Sequence, residues 1–241
     1  MTNTPRIVRG RTELYVPSGA GELMYVSPAV GPQTYQAVGK QIISNGLTVP
    51  TGDETAPLIH QTYVGKLKEE AEFANVRDIA RKRFFWVFNR NLWTPKGMFS
   101  MQDTKAIGLS QELDEKTLER KLKCGKDVSG VRFSQDGSVR FAPKDTYVIG
   151  EMSAGELEKD GFMIAQYGVE GAKLMAEASA TRKNNPIIYG LDIKENQKSE
   201  TRVSALYEGD TRLRFDGGDC DDGFYCYGYA FGVRAPSAQK I

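Results

Sequence analysis

Apolar and polar positions along the chain outline most of its elements. Thr12 to Tyr25 is strand-like, and the interruption from Pro17 to Gly21 predicts a hairpin turn. A short helix is predicted around Gln33 to Ser44, and the Gly/Pro/Thr-rich run from Asn45 to Pro57 reads as a loop. From Tyr63 to Lys82, Leu67, Ala71, Phe73, Ala74, Ile79 and Ala80 recur at near-helical spacing among charges, which predicts an amphipathic helix with a solvated outer face. Phe84-Phe85-Trp86-Val87-Phe88 follows at once and reads as a buried central strand. Trp93 to Gln102 is expected to form a second strand about the Thr-Pro-Lys-Gly turn.

Further on, Glu112 to Leu122 predicts a charged helix with Leu113, Leu118 and Leu122 inside, and Val131 to Phe141 predicts a hairpin with Gln135 to Gly137 at its tip. Ser153 and Glu156 have capping-box spacing, so a helix should start there. Phe162 to Gln166 reads as a short strand, and the Ala-rich Val169 to Ala180 as the second main helix. Ile187 to Ile193 gives one more strand, and Lys194 to Thr201 a loop. With no repeat, 241 residues, 40% hydrophobic and 26% charged, the expectation is one folded α+β domain over residues 1–241.

Charge and chemistry narrow the function. Net charge is +1 with no Lys/Arg stripe in the sequence, which argues against a nucleic-acid partner. No apolar run reaches the length of a membrane span, and the start has no apolar signal segment, so the expectation is no membrane insertion and a cytoplasmic or virion-associated protein. Cys124, Cys220 and Cys226 do not make a disulfide framework. The lone His60 reads as a loop or helix-start residue, and Gly19-Ala20-Gly21 as a turn. No nucleotide-binding, hydrolase-elbow or zinc-protease motif is present, and the expectation is no enzyme, no catalytic residue, no metal and no cofactor.

The tail differs in kind. From Tyr207 to Arg234 it has no Lys, Asn, Gln, Met, Trp, Ile or Pro and is built chiefly from Tyr, Asp, Gly, Arg and Phe. Tyr offers large amphipathic contact area with few rotors, and Gly lets loops adapt, as in antibody paratopes. Leu213, Phe215, Cys220, Cys226, Ala230, Phe231 and Val233 read as scaffold positions. Tyr207, Asp210, Arg212, Arg214, Asp216, Asp219, Asp221, Asp222, Phe224, Tyr225, Tyr227 and Tyr229 read as the ligand contacts. The aromatics would serve as anchors and Arg as a planar donor fork, while the Asp cluster would favour a basic patch on a protein partner.

The ending Tyr229-Ala230-Phe231-Gly232-Val233-Arg234 resembles the strand that closes C-type-lectin-like domains of the formylglycine-generating subfamily. Variable proteins of diversity-generating retroelements use that subfamily, and the chain is similar to the archaeal type. In them, randomised Asn codons become NNY codons, which cannot encode Lys, Glu, Gln, Met or Trp. From Tyr207 to Arg234 only Glu208 breaks that exclusion. The resemblance implies a C-type-lectin-like fold, with two main helices packed on antiparallel sheets and a loop-rich C-terminal face. It also implies a hypervariable ligand-binding segment over about residues 203–234.

Two alternatives share the tail. Enzymes of formylglycine-generating type need a redox-active or copper-binding cysteine pair, for which Cys220 and Cys226 stand one residue too far apart. Asp216 to Gly223 could form a calcium loop, although the spacing fails the EF-hand pattern.

Overall fold

The computed structural model describes residues 6–8, 13–19, 21–218 and 226–234. The strands and helices follow in chain order. β1 (Arg6–Val8), β2 (Glu13–Ser18) and β3 (Gly21–Gln33) lead into α1 (Tyr35–Ser44), α2 (Gly52–Tyr63) and α3 (Ala71–Lys82). Then come β4 (Phe84–Thr94), β5 (Gly97–Gln102), α4 (Glu115–Leu122), β6 (Lys126–Val128), β7 (Val131–Phe133), β8 (Val139–Pro143) and β9 (Gly150–Glu151). The chain continues through α5 (Ala154–Leu157), α6 (Gly161–Ala180), β10 (Ile187–Tyr189), β11 (Glu200–Gly209), β12 (Arg212–Asp216) and β13 (Gly228–Arg234).

The protein is α+β, and its strands join one large mixed sheet in the order β1-β2-β3-β13-β4-β11-β12-β10-β9, with β5, β8, β7 and β6 branching from β4. The expectation of purely antiparallel sheets is corrected here: β13 runs parallel to β4, and β10 parallel to β12. The aromatic strand is central as predicted, paired with β11, β13 and β5, and buried from Phe85 to Thr94. A strand covered on both faces needs apolar residues at successive positions, which is what Phe84 to Phe88 supplies.

On one face Phe85, Val87, Leu206, Leu213, Phe215, Phe231 and Val233 join the core that includes Leu58 and Ile59 of α2, Phe73 and Val76 of α3, and Phe162 and Met175 of α6. On the other, Trp86, Phe88, Val203, Ala205 and Ala230 meet Tyr35, Val38 and Ile42 of α1. A third cluster joins Leu92 and Phe99 to Leu118 and Leu122 of α4.

Three local expectations are overturned. The run from Asn45 to Pro57 is not all loop, because α2 begins at Gly52 behind a Thr51/Glu54 capping box. Burial of Ala56, Leu58, Ile59 and Tyr63 outweighs the helix-breaking tendency of Gly52 and Pro57. His60 therefore lies in the last turn of α2, where Nε2 meets the Glu177 carboxylate of α6 at 2.8 Å. Phe162 to Gln166 is helix, not strand. Asp160 accepts from the backbone N–H groups of Phe162 and Met163, which starts α6, and a short apolar run buried on every side fits a strand or a helix equally well. In the segment from Tyr63 to Lys82, Tyr63 ends α2 and the next helix begins only at Ala71.

Candidate functional site

The described part of the tail is a hairpin rather than a set of loops. β11 pairs with β12 through Tyr207 opposite Arg214 and Gly209 opposite Arg212, and Asp210 and Thr211 turn the chain with φ of 52° and 57°. Two successive left-handed residues match the twist of a tight hairpin. Period-two alternation then separates the residues: Leu213 and Phe215 are fully buried, whereas Tyr207, Arg212 and Arg214 are half-exposed on the opposite side. Asp216 is a correction to the contact set. It is 2% exposed, and its carboxylate accepts from the Gly218 N–H, so it shapes the strand end instead of facing a ligand.

A row of rings runs from the core out to this side. Trp86 and Phe84 stack at 5.9 Å, Phe84 meets Tyr207 edge-on at 5.1 Å, and Tyr207 stacks with Tyr189 at 6.5 Å. The Arg214 guanidinium lies 5.3 Å from the Tyr207 ring centre and donates to the hydroxyls of Tyr189 and Tyr207 at 3.3 Å each. Burial pushes the Tyr207 hydroxyl up, and its hydrogen bond raises Arg214, so both hold their protons at neutral pH. Arg214 also pairs with Asp210, and Arg212 with Glu151 of β9.

Beside this row, the end of α3 forms a double groove. Arg81, Lys82, Arg83, Phe84, Tyr207 and Tyr227 line about 180 Å³, and Asn75, Asp78, Ile79, Lys82, Arg83 and Tyr229 line about 520 Å³, the two sharing Lys82 and Arg83. Three tail tyrosines thus converge on one basic ridge. Asp210 and Arg212 do not join them, since they belong to the hairpin tip, where Asn184 also donates to the Asp210 carbonyl. Asp219, Asp221, Asp222, Phe224 and Tyr225 lie outside the described residues, as does Cys220. Cys226 is half-buried and packs against the cluster that holds Trp86 and Ala230, which fits its scaffold reading.

Sequence reasoning missed Arg81, Lys82, Arg83 and Phe84 as groove residues. Three cations in a row immediately before an aromatic strand were the available signal. The helix pattern assigned Arg81 and Lys82 to a solvated face, and the apolar run assigned Phe84 to the core.

The two tryptophans of β4 lie against the two flanks of residues 219–225. Trp93 Nε1 donates to the Gly217 carbonyl at 2.6 Å, joined by Asn91 Nδ2 at 3.2 Å, and Arg202 Nε donates to the Gly218 carbonyl at 3.1 Å. At the other end a Cβ on Gly228 would stand 2.6 Å from the Phe84 carbonyl and 2.8 Å from Trp86 Nε1, which itself donates to Gln33. Only glycine lets the backbone come so near.

On the opposite face of β11 from Tyr207, Glu208 is buried. Its carboxylate accepts from the Tyr63 hydroxyl at 2.8 Å, Arg81 Nε at 3.1 Å and Arg182 Nη1 at 3.1 Å, tying β11 to α2, α3 and the end of α6. Burial, and next the Glu208 charge, push the Tyr63 hydroxyl well up.

No family model, no curated protein and no solved structure matches this chain. The site must therefore be read from its own geometry. Among the described residues, no group of three or more His, Cys, Asp or Glu could hold a metal ion, and no helix is long and apolar enough to cross a membrane.

The alternation makes a testable distinction within the hairpin. Tyr207→Ser and Tyr227→Ser should each cost about 1 kcal/mol or less of folding stability, as half-exposed and exposed positions. Phe215→Ser should cost about 3–5 kcal/mol, through lost burial and a stranded hydroxyl. Urea denaturation of the three variants measures this, and equal losses would remove the distinction between display and scaffold.

Proposed function

We propose that this protein is a non-catalytic binding protein of C-type-lectin-like architecture. Its tail, diversified by a retroelement, presents Tyr207, Tyr227 and Tyr229 to a protein ligand across the groove at the end of α3. The observation that carries this reading is the match between residue type and burial. Glu208, the one residue from Tyr207 to Arg234 that an NNY codon cannot encode, is also the buried carboxylate that ties the hairpin to three helices. A position that must stay Glu for folding is one that a diversified tail has to leave outside its randomised codons.

Two further features support the reading. The closing strand β13 lies between β3 and β4, and α2 packs on α6 against the same sheet. The flanks of residues 219–225 rest on Trp86, Trp93, Asn91 and Arg202, all outside the segment from Tyr207 onward, so side chains between them can change without loss of the anchors. Groove and ring row together have the composition of binding hot spots, with Tyr anchors beside Arg.

Sequencing the 3′ end of the gene and its flanking DNA across the source population is the test. The expected result is substitutions at the codons for Tyr207, Arg214, Tyr227, Tyr229 and residues 219–225, a constant Glu208 codon, and a near-identical Asn-rich template nearby. An invariant tail without a second copy would sink the retroelement reading.

A further inference from the structure

We infer that a second site, which adjoins the tyrosine groove at Arg81 but is independent of the diversification reading, binds a phosphate-type oxyanion. It is a pocket of about 320 Å³ between α2 and α3, walled by Lys68, Arg77, Arg81 and Arg182 with Tyr63 and Glu69. Four cations here face two carboxylates, Glu69 and the buried Glu208. The Glu69 pair with Arg77 is long, at 3.8 Å, and its carboxylate is 81% exposed, so it offsets little of the charge.

The guanidinium groups are also fixed before any ligand arrives. Glu208 holds Arg81 through Nε and Arg182 through Nη1, and the Arg182 guanidinium lies 4.7 Å from the Tyr63 ring centre. Arg77 Nη1 donates to the carbonyls of Thr62 and Lys68, which satisfies the end of α2 that would otherwise repel an anion. Each guanidinium anchored by one edge leaves other N–H groups for the pocket. Such preorganised forks suit the oxygens of phosphate or sulfate, because little side-chain entropy remains to be lost on binding. Lys68 is exposed and lines the same pocket.

The oxyanion is either a free ion or a phosphorylated side chain on a partner, and two probes separate these sources: inorganic phosphate and a short phosphoserine peptide. Titration of the full chain at constant ionic strength, with chloride as the balancing salt, is followed by calorimetry and by the side-chain Nε–H signals of Arg77, Arg81 and Arg182. Saturable binding that moves those signals is expected. Tighter peptide binding assigns the site to a macromolecular ligand, and equal affinities assign it to the free ion.

Lys68→Glu places a carboxylate in the pocket and should weaken phosphate by about tenfold or more. Lys66→Glu, with the same net charge but outside the pocket wall, should leave affinity unchanged. Lys68 and Lys66 are both exposed, so both variants should fold normally, which an unchanged melting temperature without phosphate verifies. Equal losses in the two variants, a response indistinguishable from chloride, or no binding of either probe would overturn the proposal.

Discussion

Glu208→Ala should lower folding stability by about 3 kcal/mol, because one buried carboxylate serves three partners at once. Without it the guanidinium groups of Arg81 and Arg182 lose the anion between them, and the Tyr63 hydroxyl loses its acceptor. Arg81 is 47% exposed along its side chain and Arg182 is 20% exposed, so water recovers part of the loss and keeps it below that of a wholly buried triad. The melting temperature should fall by roughly 6–12 °C for a chain of this size. Arg81→Ala, at the more exposed end of the network, should cost about 1 kcal/mol. Urea denaturation of both variants decides the matter. A loss under 1 kcal/mol for Glu208→Ala would mean that the network is ornamental and that folding does not require Glu at this position.

Trp93→Ala should be as damaging, at about 3–5 kcal/mol. The ring stacks on Phe162 at 5.9 Å, meets Tyr147 edge-on at 5.8 Å, and is fully buried. Trp93→Phe separates packing from anchoring, since it keeps much of the buried area and loses the bond to the Gly217 carbonyl. That variant should cost about 1 kcal/mol, with Asn91 still donating to the same oxygen. Its local signature should be faster amide hydrogen exchange at Gly217 and Gly218 than at Leu213 or Phe215. Uniform acceleration across β12 would show that Trp93 acts on the sheet as a whole and has no special hold on the flank of residues 219–225.

The fold was legible where local pattern suffices. The unbroken apolar run at Phe84 announced a strand covered on both faces, the Ser153/Glu156 spacing announced a helix start, and alternation placed Leu213 and Phe215 inside. It was illegible where packing overrides propensity. Gly52 and Pro57 signal a loop, yet α2 gains more from burying Leu58 and Ile59 than it loses to them. Phe162 to Ala165 has no polar position to fix a period, and Gln166 is itself buried, so only the Asp160 cap and the surrounding core make the run helical.

For the site, the sequence alone determined the chemistry of the tail: tyrosines, arginines and aspartates set among glycines, with apolar positions at every second residue of β12. Residue type and period-two spacing are local properties and can be read without a fold. Tertiary structure alone decided which of those residues meet. Tyr207 and Tyr227 line one pocket, and Tyr229 the adjoining one, only because β13 inserts between β3 and β4 while β11 pairs on the other side of β4. That same order brings the Arg81-Lys82-Arg83 ridge, more than a hundred residues earlier in the chain, against all three. Burial of Glu208 and Asp216, two carboxylates alike in sequence to their exposed neighbours, was likewise set by the partners the fold supplies, since a carboxylate leaves water only where donors await it.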